Sequence, residues 1–170
     1  MARQRGRRLF FSFHYQRDIW RVNQVRQSNQ PWLNKDGSYW ADSSLWEATK
    51  LHSERAVKQT IDKAMHNTGV TVVLIGAETA GRKYVGYEIE QSHILKKGLL
   101  GVYIHRLEDR YGKTDRKGQN PFANWHITVN GKKIYLSNIY PTYDWVLDDG
   151  YNNLESWVEE AAIAAGRFRK

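Results

Sequence analysis

The chain has 170 residues, of which 41% are apolar, contains no cysteine and carries a formal net charge of +8 at pH 7. This length fits one domain that buries about two thirds of its unfolded surface, and the lack of cysteine excludes disulfides, thiol nucleophiles and cysteine-bound metals. No stretch approaches the roughly 20 apolar residues of a membrane span, and the apolar run near the N-terminus is too short for a signal peptide, so we expect a soluble, cytoplasmic protein without a membrane partner.

Most of the basic excess lies at the two ends of the sequence. Residues 1–8 contain four arginines and residues 167–170 contain three basic residues, which leaves a net charge of +1 for residues 9–166. We therefore predict a single domain over residues 9–166, flanked by a basic N-terminal tail (1–8) and a basic C-terminal tail (167–170) that are frayed. Tails of this kind favour solubility over nucleic-acid binding, which stays the weakest of three functional hypotheses.

The first part of the domain predicts a strand, a helix and a long loop. Residues 9–13 form an apolar strand, and a helix follows from Asp18, an acid suited to a first helical turn, to about Gln27. Residues 28–53 show no periodicity but contain turn formers and scattered aromatic residues. A loop of this length in a compact domain is often functional, although its aromatic residues also suit an anchoring role.

Next comes a helix that leads into a buried strand. Ser53 suits the N-cap of a helix that ends near Asn67, and Gly69 suits the left-handed position that often follows a helix. The run Val70–Ile75 is apolar and rich in β-branched residues, and Gly76 ends it. This composition is typical of a strand covered on both faces of a parallel sheet.

A glutamate and a tyrosine lie one turn apart on the helix that follows Gly76. Tyr84 and Glu88 are four residues apart, so they share one face of that helix. Because open α/β sheets bind ligands at the carboxyl edge where this turn lies, Glu88 is a candidate catalytic residue at a surface-accessible site. The competing interpretation is a solvated helix-surface carboxylate, which is what most helical glutamates are. Glu90 points to another face, and we expect it at the surface.

The second half of the sequence predicts a strand over residues 99–105, a solvated and disordered loop over 106–120, a hairpin over 125–136 and a helix over 153–169. Asn130-Gly131 between two alternating runs is the strongest short hairpin signal. Strands that alternate with helices argue for an α/β fold with a central parallel sheet and helices on both faces. Neither a Gly-x-Gly-x-x-Gly motif, a P-loop nor a paired histidine spacing is present, so no metal site is predicted.

Several short motifs resemble one known family. The segment YVGYEI resembles the aromatic-Val-x-x-Glu-Ile element of enzymatic TIR domains, and LFFSFHY is similar to the first TIR strand and its loop. Five motifs also occur in an order that resembles the TIR-like sensor proteins of bacterial Thoeris anti-phage systems, with a likeness that covers about residues 9–122. They are FFSFHY (10–15), SLWE (44–47), VLIG (73–76), YEI (87–89) and NPF (120–122).

The resemblance implies a flavodoxin-like, TIR-like three-layer fold and an NAD+-cleaving enzyme. Its product would be a cyclic or modified ADP-ribose, a signal that activates a separate effector protein in anti-phage defence. NAD+ is then a substrate, and no cofactor is expected. A phage-derived trigger and a homo-oligomer are further partners that the family suggests. The alternative hypothesis is a non-enzymatic TIR-like or flavodoxin-like interaction module that acts through surface contacts and tolerates the loss of Glu88.

The resemblance also implies roles for six residues. Glu88 is the catalytic residue, since a carboxylate near the ribose stabilises the oxocarbenium-like centre that forms as nicotinamide leaves. We expect Ser12, His14 and Glu88 to converge on one pocket, with Ser12 and His14 as polar contacts of the substrate. Tyr84, where the family more often has tryptophan, packs on the nicotinamide or ribose or is only a partly buried tyrosine. Phe11 is a core residue or an adenine neighbour, and Trp46 contacts the ligand or anchors the long loop.

Overall fold

The computed structural model describes residues 7–28, 40–42 and 53–168, and strands alternate with α-helices from residue 9 to residue 103. The strands are β1 (Leu9–Ser12), β2 (Trp40–Asp42), β3 (Val70–Ile75), β4 (Gly98–Tyr103), β5 (His126–Val129), β6 (Lys132–Tyr135) and β7 (Thr142–Asp144). The helices are α1 (Tyr15–Gln27), α2 (Glu54–Met65), α3 (Lys83–Ile94) and α4 (Gly150–Ala164). None of these helices is both long and apolar enough to cross a membrane.

Five of the strands form one parallel sheet in the order β2-β1-β3-β4-β7, and β5 pairs with β6 as a separate antiparallel hairpin. Leu9 of β1 pairs with Val70 of β3, and Ser12 pairs with Val73. The chain passes from β1 to β2 on one side and then to β3 on the other side, so the direction of strand addition reverses between β1 and β3. Open α/β sheets bind ligands at the carboxyl ends of the two strands that flank such a reversal. The α/β, flavodoxin-like fold is confirmed.

Helices cover both faces of the sheet, because the strand side chains point alternately to opposite faces. Phe11 belongs to a core cluster with buried residues of α1 and α4, whereas Phe10 belongs to a cluster with Val57, Ile61 and Met65 of α2. Helix α3 packs beside α2 on the second face and buries its own apolar residues against β3 and β4. Three layers result, and the second face is the one that carries the site described below.

Most of the predicted elements are present, with differences at their ends. Helix α1 begins three residues before Asp18, and α2 is capped as predicted, since the Ser53 side chain accepts a hydrogen bond from the Ala56 N–H. The left-handed residue after α2 is Asn67, with φ of 58°, rather than Gly69. The hairpin is confirmed, and Asn130 takes a positive φ in its turn, as does the glycine after it. Strands β2 and β7 were not predicted.

The segment after β4 is fixed by hydrogen bonds, so the prediction of a disordered loop is wrong. Its start and its middle are joined by the Asp115 N–H, which donates to the His105 carbonyl. The Arg21 guanidinium of α1 donates to the carbonyls of Leu107 and Lys113 at 2.9 Å each. A buried side chain of α1 therefore holds this segment, residues 106–118, which we call the strap.

Two residues of the predicted tails contact the domain. Arg7 donates two hydrogen bonds of 2.8 Å to the carboxylate of Glu159 on α4. Arg167 donates from Nε to the Lys96 carbonyl at 2.7 Å and from a second nitrogen to the Leu95 carbonyl at 2.9 Å. These carbonyls lie just beyond the end of α3, where a cation is favoured by the helix dipole. The expectation of frayed ends is therefore wrong for Arg7 and Arg167.

The Arg7–Glu159 pair is expected to stabilise the domain by about 1 kcal/mol, because it is bidentate and partly shielded from solvent. The test is a double-mutant cycle of Arg7→Gln and Glu159→Gln, read by urea unfolding, with Glu155→Gln on the exposed side of the same helix as control. A coupling free energy indistinguishable from zero would show that the contact between Arg7 and Glu159 does not stabilise the domain.

Candidate functional site

A buried hydrogen bond joins the end of β1 to the middle of α3. The Ser12 hydroxyl donates to Oε2 of Glu88, and both residues are 0% exposed. Ser12 is the last residue of β1, and the alternation of the strand places it on the same face as Phe10, toward α2 and α3. The sequence-based expectation that Ser12 and Glu88 come together is thus met in the structure.

The burial of Glu88 differs from what the sequence predicted. We expected either a surface-accessible carboxylate or a solvated one, and the structure shows neither, since Glu88 is fully buried. The reason is tertiary: Tyr84 and Tyr87, on the same helix, pack against the α2 cluster around Phe10, and the Tyr87 hydroxyl donates to Asp62 of α2 at 2.9 Å. These contacts join α3 to α2 on the face of the sheet that carries Glu88.

Two further hydroxyls fix the backbone of α3 at Glu88. The Ser92 hydroxyl lies 2.6 Å from the Glu88 carbonyl oxygen and 2.7 Å from the Thr71 hydroxyl of β3, and all three residues are 0% exposed. Thr71 pairs with Phe10 of β1, so it lies one strand away from Ser12. Thr71 was not predicted as part of the site, and its signal was a hydroxyl within the otherwise apolar run Val70–Ile75.

His14 lies at the N-cap of α1, at the same edge of the sheet. It is 6% exposed, and within the described part of the chain neither ring nitrogen has a hydrogen-bond partner. Burial lowers the pKa of His14 below its usual value, nearby Arg82 and Arg17 lower it further, and Glu78 opposes them. The imidazole is therefore neutral near pH 7, with two unused polar atoms at the carboxyl edge, which is a feature of ligand sites.

The remaining predicted substrate contacts are Tyr84, Phe11 and Trp46, and the structure places the first two on opposite faces of the sheet. Tyr84 is partly buried against the cluster that contains Phe10, one turn before Glu88, and its ring lies 5.8 Å from the Lys83 ammonium. Phe11 is 0% exposed and packs in the core on the opposite face of the sheet, which agrees with the core interpretation and not with a role as adenine neighbour. Trp46 lies outside the described residues.

A buried ion pair lies behind the turn that leads into α3. Asp18 is 0% exposed and accepts a hydrogen bond from Arg21 at 3.3 Å. Burial, the largest cause, raises the pKa of Asp18 to about 6, while Arg21 acts in the opposite direction. The Asp18 carboxylate abuts Gly76, where an added Cβ would lie 2.1 Å from Oδ2. The turn after β3 is thereby held against α1, and a side chain at Gly76 would have to displace the Asp18 carboxylate.

The arrangement can perform electrostatic catalysis without a metal. A carboxylate removed from water interacts more strongly with a nearby positive charge than a solvated one does, since the local dielectric constant is low. Among the described residues, no group of three or more histidines, aspartates or glutamates could hold a metal ion. What the described geometry offers is one oriented carboxylate, a serine hydroxyl that donates to it and a neutral imidazole at the same edge.

The sequence matches the family model described as "Thoeris protein ThsB, TIR-like domain" over residues 10–109. The chain is also similar to a protein of Bacillus cereus (strain MSX-D12) named "Putative cyclic ADP-D-ribose synthase ThsB1". The two are 37% identical over 192 residues, which cover 90% of this chain and 99% of the relative. The family match includes β1, α2, β3, α3 and β4, and therefore the strand and the helix that bring Ser12 and Glu88 together.

Proposed function

The chain belongs to the Thoeris ThsB TIR-like family, and we propose that it cleaves NAD+ at the bond between nicotinamide and ribose to form a cyclic or modified ADP-ribose. The name of the Bacillus cereus relative, a cyclic ADP-D-ribose synthase, supports this activity. The observation that carries the proposal is the fully buried Glu88 carboxylate, oriented by Ser12 at the switch point of the sheet.

Glu88 acts on the charge that develops during bond cleavage. As the ribose–nicotinamide bond breaks, its electron pair leaves with nicotinamide and positive charge grows on the ribose ring. The Glu88 carboxylate stabilises that charge and orients a ribose hydroxyl. A nucleophile of the ADP-ribose itself then bonds to the same carbon, releases one proton to solvent and closes the ring. Burial of the site favours closure over hydrolysis, because water is kept from the reactive carbon.

His14 and Tyr84 contact the substrate at either end of the site. The neutral His14 ring, whose nitrogens have no partner among the described residues, supplies one donor and one acceptor to the dinucleotide. Tyr84 lies one helical turn before Glu88 and forms part of the wall beside the nicotinamide or ribose. NAD+ is consumed as substrate, so the reaction needs no cofactor.

The product acts as a signal for a separate effector protein in anti-phage defence. A signal of this kind has to be absent from uninfected cells, so turnover depends on a phage-derived trigger or on assembly of the protein into oligomers. The burial of Glu88 supports such control, since NAD+ reaches a fully buried carboxylate only after the structure around it opens.

The proposed activity is tested by incubating the full chain with NAD+, with and without lysate from phage-infected cells, and analysing the products by mass spectrometry. We expect free nicotinamide and an equal amount of a product whose mass is that of ADP-ribose less one water. NAD+ that stays intact in both incubations, with folded protein, would contradict the proposal.

Replacement of His14 by alanine is expected to raise the KM for NAD+ about tenfold and to change kcat little. The reason is that the loss of a polar substrate contact costs roughly 1–1.5 kcal/mol of binding. Steady-state kinetics under triggering conditions check this, with His126→Gln on the exposed hairpin as the control that should match the wild type. An unchanged KM would remove His14 from the substrate site.

A further inference from the structure

We propose that Ser12 is a positioning residue, which acts on the reaction by holding the Glu88 carboxylate in place rather than by contacting the substrate. This inference rests on the proposed function, since it concerns the same site, and it assigns Ser12 a role other than the polar substrate contact expected from the sequence. The geometry that carries it is the direct hydrogen bond between the two side chains.

The Ser12 hydroxyl can donate a single hydrogen bond, and it donates that bond to the Glu88 carboxylate. Ser12 is 0% exposed, so its hydroxyl is directed into the protein rather than toward solvent. The backbone of Ser12 is fixed in turn, because the residue pairs with Val73 in the centre of the parallel sheet. A donor on a rigid central strand holds a catalytic group more accurately than a donor on a loop does.

The backbone of Glu88 is fixed from a different strand. Ser92, one turn later on α3, lies within hydrogen-bond distance of the Glu88 carbonyl and of the Thr71 hydroxyl on β3. The helix is thereby tied to β3, while the carboxylate is tied to β1. Because these two attachments are separate, removal of the Ser12 hydroxyl takes one donor from the carboxylate without releasing the helix that carries it.

A carboxylate that loses this donor is held less precisely, so it spends less time in the orientation that faces the developing charge on the ribose. Misplacement of a catalytic group by about 1 Å costs on the order of 100-fold in rate. The ground-state affinity for NAD+ changes little, because Ser12 does not contact the substrate. The expected signature of a positioning residue is therefore a fall in kcat with KM unchanged.

The test compares Ser12→Ala with Ser12→Thr, which keeps the hydroxyl, under triggering conditions. We expect kcat to fall about 10- to 100-fold in Ser12→Ala, KM to stay within about twofold of the wild type, and Ser12→Thr to recover most of kcat. Ser28→Ala is the matched control, since Ser28 is also buried but its hydroxyl donates to the Val25 carbonyl at the end of α1. Thermal unfolding of each variant verifies that it is folded.

A binding measurement separates positioning from substrate contact. In the Glu88→Gln background, calorimetric titration with NAD+ should give the same affinity with and without Ser12→Ala. Weaker binding in the double variant, or a higher KM with unchanged kcat in Ser12→Ala alone, would overturn the inference and make Ser12 a substrate contact. A fully active Ser12→Ala beside an active wild type would also overturn it. No cleavage by the wild type at all would refute the proposed function, and the role of Ser12 with it.

Discussion

Replacement of Glu88 by glutamine is expected to abolish NAD+ cleavage, with turnover lowered by about 1,000-fold or more. Glutamine has nearly the same shape, so the substrate still fits, but it carries no negative charge to oppose the positive charge on the ribose ring. The loss of a single preorganised electrostatic group costs on the order of 100- to 1,000-fold in comparable sites, and in the proposed reaction the carboxylate is the main catalytic group. Nicotinamide release under triggering conditions is the measurement.

The same substitution should leave the domain folded. The amide oxygen of glutamine accepts the Ser12 hydrogen bond, and the neutral side chain avoids the cost of burying a charge. Thermal unfolding should therefore stay within a few degrees of the wild type, in spite of the full burial that the sequence did not predict. Glu90→Gln, two residues further along the helix and only partly buried, is the control that keeps full activity. Normal turnover by folded Glu88→Gln protein would support the interaction-module hypothesis.

Replacement of Gly118 by alanine should give the largest loss of stability among the single substitutions considered. An added Cβ at Gly118 would lie 2.0 Å from the carbonyl oxygen of Gly76, so backbone would meet backbone and no side chain could move aside. We expect a destabilisation of about 2–4 kcal/mol, since overpacking costs typically 1–3 kcal/mol and more where relaxation is blocked. Urea unfolding measures the effect.

The Gly118→Ala substitution should also affect the candidate site, because the strap contacts the turn that leads to α3. Gly118 packs the end of the strap on the turn after β3, and that turn leads through the 3-10 helix Thr79–Gly81 into α3. Displacement of the strap should therefore also lower NAD+ turnover. Gly81→Ala is the matched control, because it has open space at Cβ and no positive φ, and it should stay within about 0.5 kcal/mol of the wild type. Equal stability of the two variants would contradict the packing described here.

The sequence predicted the strand and helix that carry the site, because their signals are local. The run Val70–Ile75 has a composition that is typical of a buried strand, and the four-residue spacing of Tyr84 and Glu88 gives them a common face on any helix that contains both. The pairing of Ser12 with Glu88 also followed from topology, since parallel strands end at one edge of the sheet.

What the sequence could not predict depends on contacts between distant segments. The burial of Glu88 depends on tertiary packing that brings α3 against β1, and the order of the strap requires Arg21 to reach carbonyls about 90 residues away. Strands β2 and β7 have three residues each, too few for a recognisable period. Arg7 and Arg167 resembled solvated tail residues because their partners, a helix carboxylate and two helix-end carbonyls, lie far from them in the sequence.

Closure of NAD+ into a cyclic product through Glu88 is best tested by running the reaction in water enriched in oxygen-18. A nucleophile within ADP-ribose closes the ring, so we expect a product that is lighter than ADP-ribose by one water and contains no oxygen-18, formed by the wild type and absent with Glu88→Gln. A product that carries one oxygen-18 atom as linear ADP-ribose, or a cyclic product formed equally by Glu88→Gln, would contradict it.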